Sequence, residues 1–288
     1  MKIIAAGDLH IRSSNPENRI DNYEETLWGK VRFILEVSQG YPILFPGDVF
    51  DHPIQSNAVL SKYVSFIRNG YACFGQHDLK YRTAGNTALD VLNAGGGVRI
   101  VQNGSPLPLA NNILIYGCSF NEEIPEIKDE KAFTILLIHK MIIEEKIWEG
   151  QTDYTWANVL LRITKFDLVI SGDNHKGFII PYKNRLLVNC GSLMRSAKDQ
   201  FNHKPFIVIY DTDTRKYEKV FIPIRPAAEV FDMEKIEREE EKNEKLEAFI
   251  LGLSEHREIG LDFQKSLFSY MKENAIDEEI QKIVKENF

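Results

Sequence analysis

The chain has 288 residues, of which 43% are hydrophobic and 27% charged, and its net charge at pH 7 is −7. These proportions are ordinary for a soluble globular protein with one large domain, with or without an appendage. No apolar run reaches the roughly 18 residues that a membrane-spanning helix needs, and no signal-peptide core precedes the first polar cluster. The sequence therefore predicts a soluble, cytoplasmic protein with no membrane partner, and its charge excludes a broadly basic, DNA-coating protein.

Apolar runs typical of buried strands recur as far as residue 210. Most are uninterrupted rather than alternating, which favours strands covered on both faces. They lie at 2–6, 41–46, 71–74, 112–117, 133–138, 166–170, 185–189 and 205–210. Helical spacing of apolar residues separates several of them, at 23–38, 56–68, 85–94 and 153–163. We therefore predict an α/β fold in which two stacked sheets are flanked by helices.

The sequence changes character near Pro226, because no strand pattern follows it. Apolar residues instead recur at helical spacing, beginning with Leu246, Phe249, Ile250 and Leu253 and continuing with Leu267, Phe268 and Met271. We predict two domains, a main domain at 1–226 and a small helical appendage at 227–288. The apolar faces of the appendage either pack on the main domain or bind a partner.

Five polar clusters each follow an apolar run, at the point where a strand is expected to end. They are Asp8-Leu9-His10, Gly47-Asp48 running on to Asp51-His52, Gly75-Gln76-His77-Asp78, the single His139, and Gly172-Asp173-Asn174-His175. Open α/β sheets place their reactive groups at such strand ends. Carboxylate, imidazole and amide groups at five such places can form a binuclear metal centre, which points to hydrolysis of a phosphate ester.

Spacing assigns roles within this centre. Asp48 follows a buried run and a glycine, so it is the natural carboxylate to bridge two ions. Asp8 and His10 are two residues apart at a strand end, project on the same side and can chelate one ion together. Asp173 and His175 repeat that spacing. Any one cluster is more often structural than functional, but all five in this order are a strong signal.

The clusters resemble the motifs of the calcineurin-like metallophosphoesterase superfamily, which read DxH, GD, GNH[DE], a lone H and GHxH. Within it, the segment 47–51 (GDVFD) is similar to the nuclease subunit of the SbcCD type, an SbcD-like exonuclease that processes DNA breaks. The segment 191–195 (GSLMR) is similar to the Gly-Ser-x-x-Arg segment of that branch. The resemblance covers about residues 1–225. It implies a four-layered αββα sandwich and two divalent metal ions, usually Mn²⁺, with Mg²⁺ or Fe²⁺ as alternatives.

Position by position, the resemblance also implies ligands and catalytic groups. One ion would be held by Asp8, His10, Asp48 and His175, and the other by Asp48, Gln76, His139 and Asp173. His77 matches a histidine that is not a ligand but stabilises the transition state and protonates the leaving oxygen, with Asp78 orienting its ring. Gln76 and Asp173 depart from the family pattern, which has Asn and His there. Both can still bind hard cations, so we expect an oxygen-rich second site.

Three further residues are candidates for substrate binding. Asp51 occupies the place where some nucleases of this branch carry a catalytic histidine, and His52 follows it. Arg195, in the GSLMR segment, could contact a phosphate or bridge to an acidic neighbour. For each of them a structural role is the alternative.

The leading hypothesis is a metal-dependent DNA exonuclease or endonuclease of recombination or double-strand-break processing. The resemblance implies an SbcC-like coiled-coil ATPase as its partner, bound through the helical segment 229–288, and a homodimer. One alternative is a phosphoesterase that acts on a small molecule or a protein. Another is a weakly active scaffold subunit, suggested by the departures at Gln76 and Asp173.

Overall fold

The computed structural model describes residues 1–148, 150–197 and 200–238, together with residues 241, 242, 244, 245, 267, 271, 272, 276, 281 and 282. The chain divides into two compact units, Met1–Glu229 and Val230–Phe288. Most described residues of the second unit are helical. The apolar positions Leu246, Phe249, Ile250, Leu253 and Phe268 lie outside the described residues, so the domain assignment for 227–288 stays a prediction. No helix within the described residues combines the length and the hydrophobicity needed to cross a bilayer.

Strands dominate the first unit. They are β1 (Lys2–Ala5), β2 (Ile43–Phe45), β3 (Gly70–Ala72), β4 (Val98–Ile100), β5 (Leu107–Ala110), β6 (Ile113–Cys118), β7 (Phe133–His139), β8 (Ile142–Ile143), β9 (Thr155–Trp156), β10 (Leu168–Gly172), β11 (Phe178–Tyr182), β12 (Arg185–Asn189), β13 (Phe206–Asp211) and β14 (Lys216–Phe221). The helices are α1 (Tyr23–Ser38), α2 (Asn57–Phe66), α3 (Ala88–Ala94), α4 (Ala157–Ile163) and the short α5 (Ala227–Val230). Each predicted helix of the main domain is confirmed, and α1 has the predicted bounds.

Two large sheets form the centre of this unit. The first has the strand order β14-β13-β1-β2-β3-β4 and the second the order β11-β12-β10-β7-β6-β5. In the first sheet, β1, β2, β3 and β4 run parallel, and in the second β6, β7, β10 and β12 do. Strands β8 and β9 form a separate small sheet. Because parallel strands end on the same side, the loops that follow them collect at one edge of each sheet.

Three apolar clusters separate four layers. Ile4 of β1 packs with Leu27 of α1 and Tyr63 of α2 on the outer face of the first sheet. Its neighbour Ile3 faces the other way, towards the second sheet, because side chains alternate along a strand. Leu160 of α4 belongs to the cluster on the outer face of the second sheet. The order helix, sheet, sheet, helix confirms the predicted αββα sandwich.

Helix α1 illustrates how the local sequence fixes one layer. The side chain of Asn22 accepts a hydrogen bond from the backbone N–H of Glu25 at 3.1 Å, which caps the first turn. Leu27, Val31 and Ile34 share one buried face. At the end of the helix, Gln39 adopts a left-handed conformation with φ 49°. The helix is therefore specified by its cap and by the spacing of its apolar residues.

The strands that the sequence analysis missed lie mainly at sheet edges. Strands β4 and β14 flank the first sheet, and β5 and β11 flank the second. In β14 none of the six residues is buried, and in β5 intermediate and exposed positions alternate. Strand β14, with the sequence KYEKVF, hydrogen-bonds on one side only and carries charged residues, so it lacks the continuous apolar run that marks a central strand. The eight predicted strands are confirmed.

Candidate metal centre

The structure brings all five polar clusters together at the strand ends where the two sheets meet. The backbone N–H of Asp173, after β10, donates to Asp8 Oδ2, after β1, at 3.0 Å. His139, the last residue of β7, has its Nε2 atom 3.4 Å from Asp48 Oδ2. The backbone N–H of His77 donates to Asp48 Oδ1 at 2.9 Å. Residues that are far apart in sequence thus share one cluster, in which Asp8, Asp48 and His139 are buried and His175 is exposed.

Asp8, His10 and His175 form one half of this cluster. One ligand atom from each lies within 4.8 Å of the others, as metal ligation requires. His10 Nε2 lies 3.2 Å from His175 Nε2 and 3.8 Å from Asp48 Oδ2. His175 Nε2 lies 3.9 Å from Asp8 Oδ2. These are the four residues that the resemblance implies for one ion, although their role as ligands stays a prediction.

His139, Gln76, Asp48 and Asp173 form the other half. His139 Nδ1 donates to the carbonyl oxygen of Pro46 at 2.8 Å, so Nε2 is the atom that would offer a lone pair to a metal ion once it has lost its proton. That nitrogen faces the side-chain oxygen of Gln76 at 2.9 Å as well as Asp48 Oδ2. Three electron-rich atoms that point at one another need a proton or a metal ion between them.

The two residues that depart from the family pattern contact each other. Gln76 Nε2 donates to Asp173 Oδ1 at 3.0 Å. This hydrogen bond turns the Gln76 side-chain oxygen towards His139, as a metal ligand in the second half would require. Gln76 is longer than the Asn of the family pattern and Asp173 is shorter than the His, and a hydrogen bond joins these two replacements.

Two buried carboxylate oxygens indicate whether metal ions fit this cluster. Asp8 Oδ1 and Asp48 Oδ2 are buried and have no hydrogen-bond donor among the described residues. A buried, unpaired carboxylate oxygen is costly unless a cation is near. Oxygen and imidazole donors together suit Mn²⁺, Mg²⁺ or Fe²⁺. The residues present therefore fit divalent ions in both halves of the centre.

Electrostatics support the same conclusion. Burial raises the pKa of Asp8 to about 7, and the negative charge of Asp48 adds to this. Burial also acts on Asp48, but His139 and His10 outweigh it and lower the pKa of Asp48 to about 2. Burial lowers the pKa of His139, whereas the Asp48 and Asp8 charges outweigh burial and raise that pKa to about 10. The shifts of Asp48 and His139 show that the buried carboxylates stabilise a positive charge at this point, which a metal ion could supply.

The backbone at three of the proposed ligands adopts an uncommon conformation. His10, Asp48 and Asp173 have positive φ values of 46°, 47° and 80°. Non-glycine residues rarely adopt this region, and such strain clusters at functional sites. The strained backbone at these three residues is consistent with a functional role for their side chains.

Gly75 shows how closely the backbone approaches the centre. A Cβ atom added at Gly75 would lie 2.0 Å from Asp48 Oδ1 and 2.4 Å from the Asp48 backbone nitrogen. We therefore expect Gly75→Ala to displace the Asp48 carboxylate and to lower Mn²⁺ affinity at least about tenfold, as losses of supporting groups around a metal do. Titration calorimetry with Mn²⁺ measures this affinity.

Gly29→Ala is the matched control, because a Cβ at Gly29 of α1 meets nothing within 4 Å. Alanine there favours the helix by about 0.5–1 kcal/mol, so stability should rise slightly and Mn²⁺ affinity should not change. Equal Mn²⁺ affinities for Gly75→Ala and the wild type would contradict the steric argument.

Asp78 has a different role from the predicted one. We expected it to orient the ring of His77, but its carboxylate accepts backbone N–H groups of Val49, Phe50 and Gly75 at 3.3, 2.9 and 3.0 Å. Burial raises the pKa of Asp78 to about 6, although these hydrogen bonds oppose the shift. Asp78 is therefore a brace that joins the loops after β2 and β3.

The backbone of Asp51 positions His77 instead. His77 Nδ1 donates to the carbonyl oxygen of Asp51 at 3.0 Å, which leaves Nε2 as the atom that can exchange a proton. The Asp51 side chain lies 3.5 Å from His10 Nδ1 and 2.9 Å from Arg12 Nη1. Sequence reasoning missed Arg12, although its spacing of two residues from His10 was a usable signal.

The remaining candidates lie apart from these contacts. Arg195 is buried, and its guanidinium donates to the carbonyl oxygens of Phe201, at 3.1 Å, and Arg225. It therefore braces the loop after β12 and is not presented as a surface contact for phosphate. Lys30 of α1 fixes the same loop by donating to the carbonyl oxygen of Leu193 at 2.8 Å. His52 is exposed in the loop after β2.

Residues 1–177 match the family model described as calcineurin-like phosphoesterase. An archaeal phosphodiesterase is 16% identical with a TM-score of 0.44, covering 77% of this chain and 100% of its own. A putative 5′-nucleotidase from Staphylococcus aureus is 13% identical with a TM-score of 0.49, covering 78% of this chain and 54% of its own. No curated protein matches the chain.

The family match spans more than half of the chain and includes every proposed metal ligand. It agrees with the αββα layers and with a partly buried set of oxygen and imidazole donors that fits divalent ions. The chain belongs to the calcineurin-like phosphoesterase family, and its chemistry is the metal-dependent hydrolysis of phosphoesters.

Proposed function

We propose that the chain is a DNA nuclease that hydrolyses phosphodiesters with two divalent ions, most readily Mn²⁺. The observation that carries the hydrolytic part is two buried carboxylate oxygens, Asp8 Oδ1 and Asp48 Oδ2, that accept no hydrogen bond from the described residues and lie beside imidazole nitrogens. The choice of DNA rests on the similarity of segments 47–51 and 191–195 to the nuclease branch. The proposed role is in recombination or double-strand-break processing.

The metal ions would be held by the two ligand sets, with Asp48 shared between them. When bound, they supply an activated water and neutralise charge on the phosphoryl oxygens. The chain itself fixes the ligands before substrate arrives. Asp78 ties the loop that carries Asp48 to the loop that carries Gln76, and Pro46 holds the tautomer of His139.

His77 is the proposed catalytic acid. Its ring packs edge to face against His10, with centroids 4.9 Å apart, so it lies beside the first half of the centre. Because Nδ1 donates to Asp51, the protonated ring would offer Nε2–H to the leaving oxygen. A proton delivered at that position lowers the barrier by preventing charge from building up on the leaving group.

A substrate panel tests the proposed function. The full chain with Mn²⁺ is incubated with linear duplex DNA, a nucleotide diester and a phosphomonoester. We expect hydrolysis of DNA and of the diester, and slower turnover of the monoester. Turnover of the monoester with DNA left intact would favour the alternative, a phosphoesterase that acts on a small molecule or a protein.

The contact between Gln76 and Asp173 bears on the scaffold alternative. An inactive scaffold would have no need to keep the Gln76 oxygen directed at His139, yet the hydrogen bond from Gln76 to Asp173 holds it there. Metal analysis of the purified protein distinguishes the two. Two ions per chain in the presence of Mn²⁺ fit the nuclease, whereas fewer than one per chain would favour a scaffold.

We further propose a homodimer and an SbcC-like coiled-coil ATPase as partner, bound through the 229–288 segment. The support is the resemblance to the nuclease branch together with the apolar residues at helical spacing in that segment. Sedimentation of the full chain, alone and mixed with such an ATPase, checks both. A monomer whose sedimentation does not change on mixing would contradict them.

A further inference from the structure

A cavity of about 270 Å³ opens beside the second half of the metal centre. Two of its lining residues, His139 and Asp173, belong to the centre itself, so whatever occupies the cavity is adjacent to the reacting phosphate. The lining also includes Phe120, Glu122, Glu123, Lys140, Asp153 and Tyr154. Pockets for drug-sized ligands span about 300–1,000 Å³, so this cavity suits a smaller group.

The walls of the cavity are acidic. Glu122, Glu123 and Asp153 line it together with Asp173, and Lys140 is the one basic residue in its lining. Like charges repel at short range, so a second phosphate of a nucleic acid is disfavoured there. The occupant is therefore an uncharged part of the substrate.

Two aromatic side chains, Tyr154 and Phe120, belong to the lining of the cavity. Tyr154 is half-buried and held edge to face against Trp156, with ring centroids 5.1 Å apart. Phe120 is half-buried, and its backbone N–H donates to the carbonyl oxygen of Phe74 at 2.9 Å, which fixes the start of its loop. Aromatic surfaces of this kind bind nucleobases by stacking, with little dependence on which base is present.

We propose that this cavity binds the nucleobase of the nucleotide attached to the scissile phosphate, stacked against Tyr154. The proposal rests on the proposed function, because it requires a nucleic-acid diester at the metal centre. A base can enter only when it is unpaired, as at a frayed end or in a single strand. The cavity would thus select substrates with an accessible terminal base.

The test compares two diesters that share a leaving group. Thymidine 5′-(p-nitrophenyl phosphate) carries a base, whereas methyl p-nitrophenyl phosphate does not. With Mn²⁺ and the full chain, we expect kcat/KM for the thymidine ester to exceed that for the methyl ester. Tyr154→Leu should lower kcat/KM for the thymidine ester by about 5- to 150-fold, which is the range for loss of one base–aromatic stack.

Tyr41→Leu is the matched control, since Tyr41 lies before β2, at the opposite end of the strand from the metal centre. Both esters should react with this variant as with the wild type. For Tyr154→Leu, an unchanged rate on the methyl ester excludes misfolding as the cause. Equal kcat/KM for the two esters in the wild type, or an equal loss on both in Tyr154→Leu, would overturn the base site alone. Failure of the metal-loaded wild type to hydrolyse either ester would overturn the proposed function, and the base site with it.

Discussion

Asp48→Asn is expected to lower the affinity for divalent ions by more than about 100-fold and to abolish turnover. Losses of groups that merely support metal ligands cost 10- to 100-fold, and Asp48 is the proposed shared ligand of both ions. Asparagine keeps an oxygen that can accept the hydrogen bond from the His77 backbone, so the loop geometry survives. What disappears is the negative charge at Oδ2, which has no hydrogen-bond donor among the described residues.

Two measurements separate loss of metal from loss of fold. Metal analysis after dialysis against Mn²⁺ should give about two ions for the wild type and none for Asp48→Asn. Thermal unfolding should show that Mn²⁺ raises the midpoint of the wild type, since a ligand that binds the folded state stabilises it, but leaves the variant unchanged. Asp129→Asn, in an exposed loop, is the matched control and should behave as the wild type. Retention of both ions by Asp48→Asn would disprove the shared-ligand role.

His77→Ala is expected to lower kcat by about 10²- to 10⁴-fold while metal content stays at the wild-type value. The range is that of a positioned general acid. Metal content should persist because the contact between His77 and Asp48 is made by the His77 backbone nitrogen, which alanine retains. The side chain contributes its ring, held at Nδ1 by the Asp51 carbonyl oxygen.

The leaving group distinguishes an acid catalyst from a structural residue. A p-nitrophenolate leaves without protonation, so the deficit of His77→Ala should shrink on a p-nitrophenyl diester. An alkoxide such as a nucleoside hydroxyl needs a proton, and there the deficit should be largest. An equal deficit on both substrates would show that His77 supports the structure of the centre and does not protonate the leaving oxygen.

The central part of the fold was predictable from sequence for a physical reason. Strands such as β7 and β10 are covered on both faces, so burial requires an unbroken apolar run that can be read directly. Strand β14 pairs on one side only and is largely exposed, so its sequence shows little sign of a strand. Helix α1 has both an N-cap and a regular apolar face, and its bounds were predicted. Most of the segment after residue 245 lies outside the described residues, so the helical appendage stays a prediction.

The sequence by itself determined which chemical groups follow the buried strands, and hence the family and the metal-dependent phosphoester chemistry. Only the tertiary structure decided how those groups pair. In the folded chain Gln76 donates a hydrogen bond to Asp173, and the Asp51 carbonyl oxygen, not Asp78, orients the ring of His77. Arg195 donates to a backbone carbonyl oxygen and braces a loop. These contacts connect segments that are distant in sequence, and those of His77 and Arg195 are made with backbone carbonyl groups, which carry no sequence signature. The spacing of residues can place a side chain at a strand end, but only the packing of the two sheets decides what it meets there.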